Sequence, residues 1–271
     1  MRKFFCLVLL SSSLQAFEKR PWMGDFLQFE FVPSFTYRRY PSVNRAIHPT
    51  HYSSNDRFTN LDLKVALLPS CDLELDVEFA DTRKQSLGAQ SAGMQLRYRW
   101  WDDIPGGDAV TWTSGVNIRW VSTRSLQDVS CPYHYTWNFE VVNALGKEFM
   151  PSGNFFLRPY VFVGVGQAIL GSPWIRGVAA LEMSYKDRHT VQLFSDGYFG
   201  FGSQRYVSID TFYGYAKIFH QSIDAGALYT YKISDVWGKV FLGYSYRVLA
   251  KAFPSHANTF VVGYNFPFSL F

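Results

Sequence analysis

The stretch 60-NLDLKVALLPSCDLELDVEFA-80 constrains the fold of this chain most tightly. Leu61, Leu63, Val65 and Leu67 alternate with Asn60, Asp62 and Lys64. Beyond the turn at 69–71, Leu73, Leu75, Val77 and Phe79 alternate with Asp72, Glu74, Asp76 and Glu78. A two-residue period puts alternate side chains on opposite faces of a strand, and so short a turn joins two such strands into an antiparallel hairpin. One face of this hairpin is apolar, and the other carries acids at successive positions. A narrow dry core would lose several kcal/mol for each such charge left unpaired, so this face requires a wide, water-containing space.

The same rhythm recurs along the chain. Met94, Leu96, Tyr98 and Trp100 alternate with Gln95, Arg97 and Arg99; Val110, Trp112, Val116, Ile118 and Trp120 with Thr111, Thr113, Asn117 and Arg119; Tyr135, Trp137, Phe139 and Val141 with Thr136, Asn138 and Glu140. In 155–166 both faces are apolar, and the period leaves the outward face undetermined. Further strands are expected at 175–187, 189–194, 205–219, 223–233, 237–248 and 258–271, which with a first strand from about Phe26 makes thirteen candidates. No stretch shows a capped 3.6-residue period, and no linker interrupts the pattern.

An alternating sheet can cover a soluble core or close on itself in a membrane. Aromatic residues make up 18% of the chain and charged residues also 18%, below the roughly 25% of soluble domains. Trp100, Trp112, Trp120, Tyr135, Tyr185 and Trp237 fall near strand ends, as rings at the two edges of a lipid-facing band would. In hydrocarbon every backbone polar group needs a partner, so a sheet there must close. The expected fold is therefore all-β: a transmembrane antiparallel β-barrel of about 12 strands, with 14 as the rival count, since single-chain bacterial barrels have even numbers.

The N-terminal 1-MRKFFCLVLLSSSLQA-16 has a basic start, an apolar run and a small residue at its end. It reads as a signal peptide cleaved after Ala16, leaving one barrel domain over 17–271. The chain as a whole resembles the outer-membrane β-barrel proteins of diderm bacteria. The resemblance rests on the alternating strands and on the terminal 258-NTFVVGYNFPFSLF-271. It implies an outer-membrane location, contact with outer-membrane lipids, and a terminal insertion signal in Tyr264, Phe266, Phe268 and Phe271 read by the insertion machinery. Phe271 is out of phase with the others, so either the strand ends before it or Pro267 shifts the register.

With the first strand rising from the periplasm, the connections at 39–57, 81–91 and 122–134 become outer loops, and those at 69–71 and 102–108 periplasmic turns. Cys71 and Cys131 then lie at opposite ends of the barrel, too far apart for a disulfide.

For function, the inward charges carry most weight. Asp62, Lys64, Asp72, Glu74, Asp76, Glu78, Arg97, Arg99, Arg119 and Glu140 are expected to line the lumen. An open lumen so lined would be a porin-like channel for small solutes or ions; ion pairs knitted across it would make a closed structural or surface barrel. A third reading uses His220 and Ser222, two apart on one face. They resemble the His-x-Ser pair of outer-membrane phospholipases, but lack the Asn-Gly that follows it there and fall near a periplasmic turn. The acids Asp102, Asp103 and Asp108, and the loop residues His48 and His51, are better explained as turn and loop chemistry than as metal ligands. No motif calls for a cofactor, and no basic stripe points to nucleic acid.

Overall fold

The computed structural model describes residues 18–24 and 26–269. Twelve antiparallel strands form its wall: β1 (Gln28–Tyr40), β2 (Ser54–Leu68), β3 (Cys71–Asp81), β4 (Gly88–Trp101), β5 (Thr111–Val121), β6 (Trp137–Gly146), β7 (Phe155–Ala168), β8 (Trp174–Tyr185), β9 (His189–Gly200), β10 (Gln221–Ser234), β11 (Gly238–Lys251) and β12 (Asn258–Ser269). Each strand pairs with the next, and β12 pairs with β1 from Gln28↔Ser269 to Arg39↔Asn258. The sheet is thereby closed, leaving no edge. The expected signal segment and its cleavage point lie outside the described residues, as do Leu270 and Phe271.

Connections alternate between the two ends of the barrel, and the three longest, 41–53, 122–136 and 201–220, share one end. The connections at 69–70, 102–110, 147–154, 186–188 and 235–237 lie at the other end, with the first and last described segments. The end with the longest connections carries 41–53, 82–87, 122–136, 169–173, 201–220 and 252–257. We call the former the turn end and the latter the loop end. Cys71 opens β3 at the turn end, Cys131 is buried at the loop end, and both are free.

The alternation that defines the strands also defines the two faces of the wall. Outward residues are apolar and exposed, among them Val141 at 56%, Leu242 at 59% and Val262 at 55%. Inward residues are polar and buried, with Asp76 and Glu78 each at 1%. Trp100, Trp101 and Trp112 cluster outside the turn end, with Trp112 4.9 Å from Trp101, while Trp120 and Trp137 sit outside the loop end. The outward face of β7 is Val161, Val163 and Val165. Its inward face is also apolar because Tyr160 and Phe162 build an apolar quadrant of the lumen with Val142, Val178 and Ala180.

Three expectations are corrected. The candidate strand 205–219 is not part of the wall: only Val207–Ser208 is extended, pairing in parallel with Ala46–Ile47. Beyond Ile209 the buried residues Phe212, Tyr215, Ala216 and Ile218 join no ladder of the wall, and Gly214 turns the chain at φ +71°. Removing this candidate resolves the odd count of thirteen. Tyr135 precedes β6 and packs edge-on against Tyr213 at 5.8 Å, so it belongs to the loop end and not to a strand. The pairing of β12 with β1 runs through Pro267↔Glu30 without a shift, so Pro267 does not change the register.

Candidate functional site

The inward positions of the wall form a charged lumen. Its five most deeply buried arginines each engage a carboxylate through two nitrogens. Arg38 binds Asp56 at 3.0 and 2.8 Å, and Arg119 binds Asp76 at 2.7 and 2.8 Å. Arg97 pairs with Asp72, Arg176 with Glu140 and Arg247 with Asp224 in the same manner. Such forked pairs satisfy both charges and fix their geometry. Every one of them joins neighbouring strands or strands one apart: β1 to β2, β3 to β4, β3 to β5, β6 to β8 and β10 to β11. They run along the wall and do not cross the lumen.

The remaining lumen charges named from the sequence lie on the same inner face. Lys64 is 3.3 Å from Glu74 and from Glu18, and Arg99 pairs with Asp102 at 2.6 Å at the turn end. Glu78 accepts Tyr133 Oη at 2.9 Å and Gln90 Nε2 at 3.0 Å. Asp62 Oδ1 has no hydrogen-bond partner among the described residues. The acids of the 102–110 turn are engaged locally: Asp108 Oδ2 accepts the backbone N–H of Asp102 at 2.8 Å, and Asp103 binds Thr111. Glycine makes room for inward side chains at two points. A Cβ on Gly164 would lie 2.8 Å from the Glu140 carboxyl carbon, and one on Gly200 2.3 Å from His220 Nε2.

Two pieces of non-strand chain occupy the lumen. From the turn end, Glu18–Trp22 forms a strap. Its Glu18 N–H donates to Glu74 Oε2 at 2.8 Å, Lys19 Nζ reaches Asp196 at 2.6 Å, and Arg20 reaches Glu182 at 3.3 Å. Arg97 donates to the Arg20 carbonyl at 2.6 Å, and Trp22 meets Tyr160 edge-on at 6.0 Å in the apolar quadrant. The strap thus ties the β3–β4 wall to the β8–β9 wall opposite. At the loop end, the connections fold inward as an apolar plug in which Tyr40, Val43, Val129, Ile209, Tyr215 and Phe253 are buried together. Beside the strap, in the turn-end half of the lumen, lies a cavity of about 350 Å³, bordered by Glu30, Asn60, Asp62, Lys64, Lys232 and Lys239.

His220 does not lie near a turn, contrary to the sequence expectation. It ends the 201–220 connection at the loop end, inside the plug, with its ring 4.6 Å from Tyr198, 4.9 Å from Tyr215 and 5.3 Å from Phe253. Its Nε2 is 3.0 Å from Nε2 of His134. Ser222 is also buried inside the barrel, so neither member of the pair is presented to surrounding lipid. Sequence reasoning missed Arg38, Asp56, Arg176, Asp224 and Arg247, although each sits at an inward parity position. The strap and the His134–His220 contact left no periodic signal.

A closed twelve-stranded wall with an apolar exterior and a charged interior defines the outer-membrane β-barrel class. Solved structures of that class share the fold. The NanC porin superposes with a TM-score of 0.56 at 9% identity, covering 87% of this chain and 98% of that one. An outer-membrane channel from Pseudomonas putida F1 gives 0.58 at 9% identity, covering 91% and 97%. No protein-family model matches the chain, and no curated protein matches it by sequence.

Proposed function

We propose that the protein is a porin-like channel of the bacterial outer membrane for small hydrophilic solutes, closed in the conformation described. The observation that carries this reading is the direction of the ion pairs. Because the arginine–carboxylate forks run along the wall, the lumen is blocked by the strap and the loop plug, both of which can move without breaking the barrel. A barrel built to be solid would knit wall strand to wall strand across the interior, whereas here the pairs that span it run through the strap. The loop end faces outward and the turn end faces the periplasm, since such barrels have short periplasmic turns and longer outer loops. Lipids contact the apolar exterior, and the β12 strand ending in Phe266 and Phe268 is the segment offered to the insertion machinery.

Planar-bilayer recording of the refolded chain, residues 17–271, tests the proposal. The parent should show rare discrete steps, and a variant with Lys19, Arg20 and Trp22 replaced by alanine should show longer open times. A folded, inserted strap variant that stays silent at both neutral and acidic pH would overturn the channel and leave a closed structural barrel.

A further inference from the structure

The inner wall of β2 and β3 is unevenly charged. Asp62, Asp72, Glu74, Asp76 and Glu78 face three cations on β2, β4 and β5, namely Lys64, Arg97 and Arg119, of which Arg97 is held by Asp72. Arg119 is committed to Asp76 through both terminal nitrogens, and Lys64 is shared between Glu74 and Glu18. Asp62 is 5% exposed, and no described residue donates to its Oδ1. Asn60 stands two residues away on the same face, 7% exposed, and its Oδ1 also lacks a donor. Directly across the ladder from Asn60 is Glu78, whose Oε1 is likewise unpartnered while its Oε2 is held by Gln90, Ser91 and Tyr133.

Three neighbouring inward positions therefore present acceptor oxygens with unmet capacity, one from a neutral amide and two from carboxylates. A buried carboxylate without a donor must be neutralised, by a proton or by a counter-ion. Oxygen ligands with a surplus of negative charge suit hard cations of the alkali and alkaline-earth type, which bind carboxylate and amide oxygens together with water. Asn60 and Asp62 both border the cavity, so an ion in the lumen reaches them directly.

We propose that Asn60, Asp62 and Glu78 form a hard-cation site in the lumen wall. As a specificity determinant this rests on the channel reading, because a cation held there makes the lumen favour cations over anions. As a binding site it stands on the wall geometry alone.

The Tyr133 hydroxyl, 2.9 Å from Glu78, provides a built-in antenna. Terbium(III) added to the detergent-folded protein should luminesce on excitation of tyrosine, and calcium should compete it away. Asp62→Asn should weaken terbium binding about tenfold or more, and Tyr133→Phe should dim the emission while leaving calcium competition by calorimetry in place. Emission unchanged by Asp62→Asn, or its absence in the correctly folded parent, would overturn the site and mark Asp62 as simply protonated. Reversal potentials in a potassium chloride gradient form the second arm. Terbium binding without conductance would retain the site and remove the channel, whereas conductance with no terbium binding would do the reverse.

Discussion

His134 Nε2 and His220 Nε2 meet at 3.0 Å inside the loop-end plug, linking two connections that are 86 residues apart in sequence. His134 Nδ1 lies 3.2 Å from the Ser172 carbonyl and donates to it. Its Nε2 is then the acceptor, and His220 must donate its own Nε2–H. Both rings are neutral in this arrangement, and His220 Nδ1 is left without a partner. The nearby charges are already matched: Arg247, stacked over Phe253 at 4.7 Å, is held by Asp224, and Glu140 by Arg176.

This contact makes the plug acid-sensitive. Burial pushes His134 down from 6.5 to about 3 and holds His220 well below its ordinary value, with the neighbouring His134 adding to the effect. The released loops bind protons that the packed plug does not, so plug stability is complete above about pH 6.5 and falls as pH drops from there toward 3. Each imidazole kept neutral costs about 1.4 kcal/mol per pH unit within that window. Protection of residues 122–136 and 201–220 from hydrogen exchange, taken relative to the intrinsic rate at each pH, should fall between pH 7 and 5, and a His134→Phe/His220→Phe pair should flatten the profile. Protection that is independent of pH in the parent would refute this.

Arg119→Ala should destabilise the barrel substantially. It strips Asp76, fully buried, of both its strongest donors and removes the guanidinium from the Tyr133 ring 5.1 Å away. Leaving one member of a buried pair uncompensated costs about 3–5 kcal/mol. The temperature at which the folded form is lost on unheated-versus-heated gel electrophoresis should fall clearly, and the Arg119→Ala/Asp76→Ala double variant should recover part of the loss.

Gly200→Ala should disturb the plug while sparing the wall. The new methyl would sit 2.3 Å from His220 Nε2, so the ring must move and the contact to His134 with it. Overpacking of this kind costs about 1–3 kcal/mol. Protease cleavage within 201–220 should increase, with the β-sheet circular dichroism signal unchanged.

Val141→Arg tests the lipid-facing assignment. Val141 lies midway along β6 and points outward. Arginine at the bilayer midplane of a barrel costs about 2–4 kcal/mol, so the folded yield in lipid vesicles should drop. If the outer face met water instead, the substitution would be nearly silent.

Most of the wall was legible in the sequence because the period of two is a local property. Leu61 through Phe79 assign their own faces, and ten charged positions, from Asp62 to Glu140, could be placed inside by parity alone. The long connections could also be told from the short turns by counting. What parity does not encode is where a segment goes once it leaves the ladder. The segment 205–219 looked like a strand, and only packing of its Val207, Ile209 and Tyr215 with Tyr40 and Val43 shows that it fills the barrel mouth. Nor does a residue's face reveal its partner: whether Arg119 would cross the lumen or take Asp76 two strands away depends on the closed register. The sequence by itself determined the barrel, its two faces and the charge of its interior, because side chains two apart share a face whatever surrounds them. Tertiary structure alone decided the strap, the plug and the His134–His220 contact, because each joins residues that become neighbours only after the sheet has closed.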